Sequence, residues 1–272
     1  MTVDPLYLAT AVEAALAAGR IQKQYFRQPL EIGKKGPIDL VTAADLEVER
    51  MFRALVAERF PSHVVIGEEG TSSVPPGPAR YRWIIDPVDG TTNFAHGLAL
   101  FSVSIALEID GRLEVGVIYD PMADELFTAE RGGGARLNGR PIRVSSNSAI
   151  IDALLCTGFP YSVHQERQQH VDVFAEFLRQ AQAVRRLGSA ALDLAYVAAG
   201  RFDGFWEERL HPWDIAAGVV IVAEAGGRTT GIDGNEIDVF GGHVIATNGR
   251  LHEAVLSVVQ RVRGMRPGEL HG

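Results

Sequence analysis

The sequence predicts an α/β protein of two packed lobes, residues 1–145 and 146–272, and three observations carry that prediction. Strand-like segments with turns between them run through the middle of the chain and predict an antiparallel meander. After about residue 145, helical patterns alternate with short strands instead. A chain of 272 residues can form one large domain or two smaller ones around a sizeable core.

The composition is that of a soluble globular protein, with 46% hydrophobic and 22% charged residues. Cys156 is the only cysteine, so no intrachain disulfide can form, and we expect a buried apolar role for it. No apolar run reaches membrane-spanning length and the N-terminus has no signal-type core, so we expect a cytoplasmic protein with no membrane contact. The net charge of −8 argues against nucleic acid as a partner.

The first helices are predicted at Pro5–Phe26 and Thr42–Phe60, where apolar residues recur at helical spacing. Thr42 and Asp45 form the pattern of a capping box at the start of the second helix. A short strand is predicted at Val64–Gly67, and the Ser-, Pro- and Gly-rich segment 71–80 predicts a surface loop.

Further elements follow from the same patterns. The meander is predicted to contain a half-buried strand at Phe101–Ile109, strands at Leu113–Tyr119 and Glu125–Ala129, and a turn at Gly132–Gly134. The second half is predicted to contain helices at Glu166–Leu178, Ser189–Ala199, Pro212–Ala225 and Arg250–Arg263, and strands at Ala183–Leu187, Gly204–Glu207 and Val244–Ala246.

The most informative segment is the buried strand Trp83–Ile85 and the two carboxylates, Asp86 and Asp89, that follow it. Pro87 restricts the backbone between them, and Gly90 permits a tight turn. Charges at the end of a buried strand are costly unless they are paired. Oxygen ligands on a short rigid loop suit Mg²⁺, which shares its coordination with water and substrate phosphate.

The segment from Asp86 to Phe94 resembles the signature D-P-[IV]-D-G-T-T-N-[FY] of the inositol monophosphatase family. Other family motifs occur in the family's order. They are Asp39–Asp45 for D-L-V-T-x-x-D, Gly67–Glu69 for G-E-E, Gly188–Ala191, and Trp213–Gly218 for W-D-x-A-x-G.

The resemblance implies an αβαβα layered sandwich of the sugar-phosphatase type. It also implies a Mg²⁺-dependent, lithium-sensitive phosphomonoesterase that forms homodimers. The leading substrate is myo-inositol monophosphate, and two to three Mg²⁺ ions assist direct attack of water. Metal ions suit this chemistry because they lower the pKa of water and stabilise both the attacking and the leaving oxygen.

The resemblance assigns the metal ligands residue by residue. Glu68, Asp86 and the Val88 carbonyl are expected to hold the first ion, and Asp86, Asp89 and Asp214 the second. Glu68 is also expected to contact a third, weaker ion.

The family's catalytic residues map onto Asp45, Glu68 and Thr91. Thr91 is expected to orient the attacking water while Asp45 accepts the Thr91 proton. The backbone N–H groups of Gly90 and Thr91, at the start of a predicted short helix, are expected to bind the phosphate. Lys34 occupies the position of a family lysine near the third ion, by a weaker match.

The substrate's alcohol is expected to contact the second lobe. The family positions for it are Asp89, Gly188, Ser189, Ala190 and Glu207. A carboxylate at this place suits hydroxyl groups, but it also suits the amine of histidinol phosphate. Histidinol phosphate, fructose 1,6-bisphosphate and nucleotide 3′-phosphates stay open as substrates, because relatives with the same motifs use them.

Several of these residues also have simpler interpretations. Asp45 and Asp214 could be helix caps, and Trp213 could belong to the core. His96 and His211 are expected to be surface or packing residues, because oxygen-rich Mg²⁺ sites do not favour imidazole. A solvated or interface role for Arg185 and Arg186 is as plausible as phosphate binding.

Two rival functions remain. Phosphorylation of an aspartate would require the pattern D-x-D-G-T, and the spacing of Asp86 and Asp89 differs from it by one residue. A non-catalytic relative that binds a ligand or partner would be expected to have lost a metal carboxylate or the threonine. All of them are present in this sequence.

Overall fold

The computed structural model describes residues 4–28, 33–34, 40–70, 79–160, 163 and 167–264. The predicted loop at 71–80 lies outside this part of the chain except for its last two residues, and so does the side chain of Lys34. The helices are α1 (Pro5–Tyr25), α2 (Ala43–Arg59), α3 (Thr91–Ala95), α4 (Arg167–Gln180), α5 (Ala190–Ala198), α6 (Pro212–Glu224) and α7 (His252–Val262). The strands are β1 (Gly33–Lys34), β2 (Leu40–Val41), β3 (Val64–Gly67), β4 (Tyr81–Asp89), β5 (Ser102–Ile109), β6 (Arg112–Asp120), β7 (Glu125–Glu130), β8 (Gly134–Leu137), β9 (Arg140–Pro141), β10 (Leu154–Thr157), β11 (Ala183–Arg185), β12 (Gly204–Glu208), β13 (Arg228–Thr230) and β14 (His243–Thr247).

The first large sheet has seven strands in the order β3-β4-β5-β6-β7-β8-β9. β3 and β4 are parallel, and every later neighbouring pair is antiparallel. This confirms the predicted meander. Its strands are consecutive in the chain because short turns are sufficient to connect antiparallel neighbours.

The second large sheet has five strands in the order β11-β10-β12-β14-β13. β10 pairs in parallel with β11 and β12, while β14 is antiparallel to β12 and β13. The parallel pairs require crossover connections, which helices α4 and α5 provide.

Three hydrophobic clusters fix the order of the layers. The helices α1 and α2 pack on one face of the first sheet, against residues such as Trp83 and Ile105. The opposite face, which includes Ile84, packs on α5 and α6. The same cluster continues through α5 and α6 to Phe205 of the second sheet. The far face of that sheet, which includes Trp206, packs on α4 and α7.

The predicted αβαβα sandwich is therefore confirmed, with α5 and α6 as its middle helical layer. Because this layer packs on both sheets, the chain has one continuous core between them. The division into lobes at residues 145 and 146 remains a prediction.

The structure corrects two predictions about the first sheet. β5 is buried on both faces rather than half-buried, because helices cover the sheet on each side. A small polar residue is tolerated in this strand when its side chain has a hydrogen-bond partner in the core. The Ser104 hydroxyl, for example, donates to the Trp213 carbonyl at 2.9 Å. β4 also continues to Asp89, so the two carboxylates lie within the end of a strand rather than in a following loop.

The predicted long helices are confirmed to within a few residues at each end. α2 begins after Thr42, whose N–H donates to Asp45 at 2.8 Å, as the capping pattern predicts. Short strands such as β10 and β13 were not predicted. Their three to four residues are too few to show a periodic pattern.

Candidate active site

Three carboxylates converge at the edge where β4 meets the middle layer. Asp86 and Asp89 come from the end of β4, and Asp214 comes from the first turn of α6. One oxygen of each lies within 4.8 Å of the others. The structure thus places the predicted carboxylates of the second ion together, although Asp214 lies far from the other two in the sequence.

The end of β4 presents its two carboxylates through a local irregularity. The regular pairing with β5 is interrupted between Asp86 and Asp89. Pro87 lies in this interval and has no N–H to contribute to the sheet. The Val88 N–H turns instead to the Asp86 carboxylate and donates to it at 3.0 Å. The backbone is thereby fixed between the two acidic side chains.

Asp214 is positioned by the start of α6. Pro212 occupies the first turn of the helix, where its missing N–H is not needed. The N–H of His211 donates to the Asp214 carboxylate at 2.6 Å. Asp214 therefore caps the helix, as the sequence suggested, through one of its carboxylate oxygens. The same carboxylate also lies next to those of Asp86 and Asp89.

Asp89 connects the end of β4 to the start of α5. Its carboxylate accepts hydrogen bonds from the Ser189 hydroxyl and from the Ala191 N–H, the latter at 3.0 Å. Ser189 is the N-cap of α5, and its hydroxyl oxygen accepts from the Leu192 N–H at 3.3 Å. A carboxylate at this place is favoured by the exposed N–H groups of the helix start.

Burial and mutual repulsion dominate the protonation of the acidic cluster. Burial, followed by the charges of Glu68, Asp89 and Asp214, raises the pKa of Asp86 well above its usual value. Burial and the neighbouring carboxylates likewise raise the pKa of Asp214. Burial raises the pKa of Asp89 to about 6, against the opposing effect of its bonds from Ser189 and the start of α5.

The turn after β4 carries the predicted catalytic threonine. Gly90 has a φ of 95°, a left-handed conformation that favours glycine, and it precedes the short helix α3. The Thr91 hydroxyl donates to the Val88 carbonyl at 2.9 Å. Asp45 is fully buried, and its charge contributes to the raised pKa of Asp86. A transfer of the Thr91 proton to Asp45 remains a prediction.

A cavity of about 270 Å³ opens above these groups. Among the described side chains predicted for the site, all except the fully buried Asp45 line it. The predicted residues in its wall are Glu68, Asp86, Val88, Asp89, Gly90, Thr91, Gly188, Ser189, Ala190, Glu207 and Asp214. The carboxylates and the predicted alcohol contacts therefore share one cavity.

Glu207 contributes a second acidic region to the cavity, on the strand β12. Its burial raises its pKa to about 8, although the positive charge of Arg186 acts in the opposite direction. A side chain at Gly158 would collide with the Glu207 carboxylate, because an added Cβ would lie 2.1 Å from one of its oxygens. The glycine thus leaves room for the acid at the cavity wall.

The cavity wall also includes residues for which the sequence predicted another role or no role in the site. Trp213, interpreted as a core residue, and His211 both line it, with their rings stacked at 4.6 Å between centroids. Arg186 lines it as well, next to the predicted alcohol contacts. Asp193 was not predicted, because its position in the apolar helix α5 indicates core packing.

The donor set fits divalent metal ions with a preference for oxygen. Burial, and after it the charges of neighbouring carboxylates, disfavour the ionised forms of these three acids and raise their pKa values. A bound cation would remove the repulsion between these charges. Carboxylate and carbonyl oxygens, with no thiolate or imidazole among the predicted ligands, favour magnesium, calcium or manganese over zinc.

Comparison with known proteins matches this chain to one family. A sequence model described as "Inositol monophosphatase family" matches residues 5–263. A Mesorhizobium japonicum protein named "Inositol-1-monophosphatase" is 44% identical over 259 residues, which cover 93% of this chain and 96% of the relative. A Pseudomonas aeruginosa protein named "Nus factor SuhB" is 42% identical over 258 residues, which cover 93% of this chain and 95% of the relative. The structure of inositol monophosphatase from Anabaena (Nostoc) superposes with a TM-score of 0.86 at 41% identity, and the match covers 97% of each chain.

Proposed function

The chain belongs to the inositol monophosphatase family, and from this premise we propose that it is a Mg²⁺-dependent phosphatase that hydrolyses inositol monophosphate to inositol and phosphate. The observation that carries the proposal is the convergence of Asp86, Asp89 and Asp214 within 4.8 Å, in the wall of the cavity that also holds Thr91 and Glu207.

The acidic cluster would hold two to three Mg²⁺ ions. Glu68, Asp86 and the Val88 carbonyl would hold the first ion, and Asp86, Asp89 and Asp214 would hold the second. Glu68 would also contact a third, weaker ion. When bound, the ions supply a polarised phosphate and a water that is nucleophilic near neutral pH.

The turn after β4 would bind and orient the reacting groups. The N–H groups of Gly90 and Thr91 face the phosphate position at the start of α3 in this proposal. Thr91 would orient the attacking water through its hydroxyl, which now donates to the Val88 carbonyl. Asp45 would accept the Thr91 proton and hold it beneath the cavity, where water does not reach the buried carboxylate.

The alcohol would bind on the side of the cavity formed by β12 and the start of α5. Gly188, Ser189 and Ala190 offer backbone and hydroxyl groups there, and Glu207 offers a carboxyl group. With its pKa near 8, Glu207 can either accept from or donate to a substrate hydroxyl at neutral pH. This adaptability suits a polyol.

The test is phosphate release from inositol-1-phosphate, histidinol phosphate, fructose 1,6-bisphosphate and adenosine 3′,5′-bisphosphate, with Mg²⁺, with EDTA and with added Li⁺. We expect the highest kcat/KM on inositol-1-phosphate, loss of activity in EDTA and inhibition by Li⁺. A clear preference for another substrate would retain the mechanism and change the substrate.

A second candidate function is binding of a ligand or protein partner without catalysis. The relatives named "Nus factor SuhB" keep this candidate open. The retained carboxylates and threonine favour catalysis, but no Mg²⁺-dependent release from any substrate in the panel would favour partner binding.

The proposal includes a cytoplasmic location and a homodimer, both typical of the family. No helix in the described part of the chain is long and apolar enough to cross a membrane. Sedimentation velocity of the purified protein would measure the oligomeric state.

A further inference from the structure

Asn93, on the short helix α3, connects the turn that carries Thr91 to the segment that carries the predicted alcohol contacts. The residue is buried, with 8% of its surface exposed. Its amide nitrogen donates to the Leu100 carbonyl at 2.8 Å and to the Leu187 carbonyl at 2.9 Å. Leu100 precedes β5 in the first sheet, whereas Leu187 directly precedes Gly188.

The orientation of this amide follows from its partners. Both neighbours are carbonyl oxygens, which only accept hydrogen bonds, so the NH₂ group must face them. An asparagine amide has two N–H donors, and Asn93 uses both. No other uncharged side chain of its size offers two donors from one atom at this reach, so the position is specific for asparagine.

The two segments that Asn93 joins lie in close contact. A Cβ added to Gly90 would lie 3.3 Å from the Gly188 carbonyl oxygen and 3.0 Å from the Leu100 carbonyl oxygen. A Cβ added to Gly188 would lie 3.2 Å from the Asn93 amide nitrogen. Glycines at positions 90 and 188 let the two backbone segments approach closely. The two hydrogen bonds of Asn93 fix the relative position of the segments.

Asn93 does not line the cavity, so it does not act on the substrate directly. Thr91 is held separately, through its own bond to the Val88 carbonyl in the same turn. Loss of the Asn93 amide would therefore free the Leu187 carbonyl and loosen the start of the segment 187–190, while Ser189 and Ala191 stay bonded to Asp89 and Thr91 stays bonded to Val88.

We propose that Asn93 is a positioning residue that sets the place of the alcohol-binding segment 187–190 relative to Thr91. It thereby acts on specificity for the alcohol rather than on hydrolysis of the phosphate ester as such. This inference rests on the proposed phosphatase function.

The test compares two substrates in the variants Asn93→Asp and Asn93→Ala. The first variant keeps the shape and removes both donors, and the second removes the whole amide. For inositol-1-phosphate we expect kcat/KM to fall by about 10- to 100-fold, the scale of a small misplacement of a reacting group. For p-nitrophenyl phosphate, whose leaving group has no hydroxyls to bind, we expect less than about a threefold change, because the turn with Thr91 is unaltered.

A matched control is Arg201→Gln. The guanidinium of Arg201 donates two hydrogen bonds to Glu125 of the first sheet, so it also joins the two halves of the chain, but away from the cavity. This variant should leave kcat/KM unchanged for both substrates. If the Asn93 variants lose kcat/KM by the same factor for both substrates, at an unchanged melting temperature, the proposal is overturned.

Amide hydrogen exchange provides a readout that does not depend on activity. In the Asn93 variants we expect faster exchange in a peptide covering residues 187–191, with no change in a peptide covering β6. If the wild-type protein hydrolyses no phosphate ester, the proposed function fails, and exchange still decides whether Asn93 holds the segment. Unchanged exchange at 187–191 would overturn the inference whatever the activity.

Discussion

The carboxylate of Asp89 accepts a hydrogen bond from the hydroxyl of Ser189, which lies 100 residues further along the chain. The bond joins the end of β4, with the carboxylates predicted to bind metal, to the start of α5, with the predicted alcohol contacts. A hydroxyl that donates to a carboxylate favours its charged form, so Ser189 opposes the effect of burial on Asp89.

Ser189→Ala should raise the pKa of Asp89 further above its present value of about 6. Protons would then compete with Mg²⁺ up to a higher pH, and the acid side of the pH profile of kcat/KM should move upward. The profile is measured at fixed, subsaturating Mg²⁺. Ser189→Thr, which retains the hydroxyl, serves as the control, and an unchanged profile in the alanine variant would contradict the assignment.

Asp86→Asn should affect activity and apo stability in opposite directions. The substitution removes a charge from a buried cluster in which neighbouring carboxylates repel one another. We expect a higher melting temperature than wild type in EDTA, because that repulsion is relieved. We also expect loss of Mg²⁺-dependent activity and of stabilisation by Mg²⁺, because a shared ligand is gone.

The control for this variant is Asp110→Asn, a substitution at an exposed acid far from the cavity. It should change neither the melting temperature in EDTA nor the Mg²⁺-dependent activity. Near-normal turnover in Asp86→Asn would show that Asp86 is not a shared metal ligand.

Without metal, the protein should lose stability as the pH rises from about 4 to about 6. The folded-state pKa of Asp89 is about 6, above its ordinary value of 3.8, so the folded state binds more protons than the unfolded state in this interval. Its contribution is therefore greatest below pH 3.8 and is lost as the pH rises through the folded-state value.

Urea unfolding in EDTA across this interval measures the effect, and Asp89→Asn isolates it. The free energy of unfolding of the variant, measured relative to wild type, should increase with pH over the interval, since the variant lacks the titrating group. A constant difference between the two proteins would show that Asp89 does not titrate there. Added Mg²⁺ should reduce the fall in wild type, because the ion stabilises the charged form.

Thr91→Ala should lower kcat by about 100-fold or more and change KM by less than about threefold, because the hydroxyl positions the reacting water rather than the substrate. Thr91→Ser keeps the hydroxyl and should retain most of the activity. Steady-state kinetics on inositol-1-phosphate at saturating Mg²⁺ measure both constants. A change confined to KM would assign Thr91 to substrate binding instead.

Gly188→Ala should destabilise the protein and impair its activity. Gly188 has a φ of 89°, and an alanine in left-handed backbone costs roughly 1–2 kcal/mol. The added Cβ would also lie 2.6 Å from a guanidinium nitrogen of Arg186, so this flexible side chain would have to move within the cavity. The same Cβ would lie 3.2 Å from the Asn93 amide nitrogen, which two carbonyl groups hold in place. The matched control is Gly111→Ala, where φ is 81° and no atom lies within 4 Å of the added Cβ. Thermal unfolding should show a larger loss at Gly188 than at Gly111.

The sequence alone determined the long helices, the meander and the three acids that converge in the cavity. These features have local causes: α2 begins at a capping pattern, and Asp86 and Asp89 lie at the end of a buried strand within a recognisable motif. The motif order along the chain also identified Asp214 as a partner of these acids, because the family resemblance supplied the long-range pairing that the local pattern lacks.

Tertiary structure alone decided what surrounds these acids. β5 is buried on both faces because helices from distant parts of the chain cover the sheet, so its alternating pattern was misleading. Asp193 faces the cavity from a helix whose composition indicates core packing. Asn93 donates to the backbone carbonyls of Leu100 and Leu187. Because every residue has a backbone carbonyl, no sequence pattern could indicate these partners. Packing of the middle helical layer between two sheets brings these groups together, and such long-range contacts leave no periodic signal in the sequence.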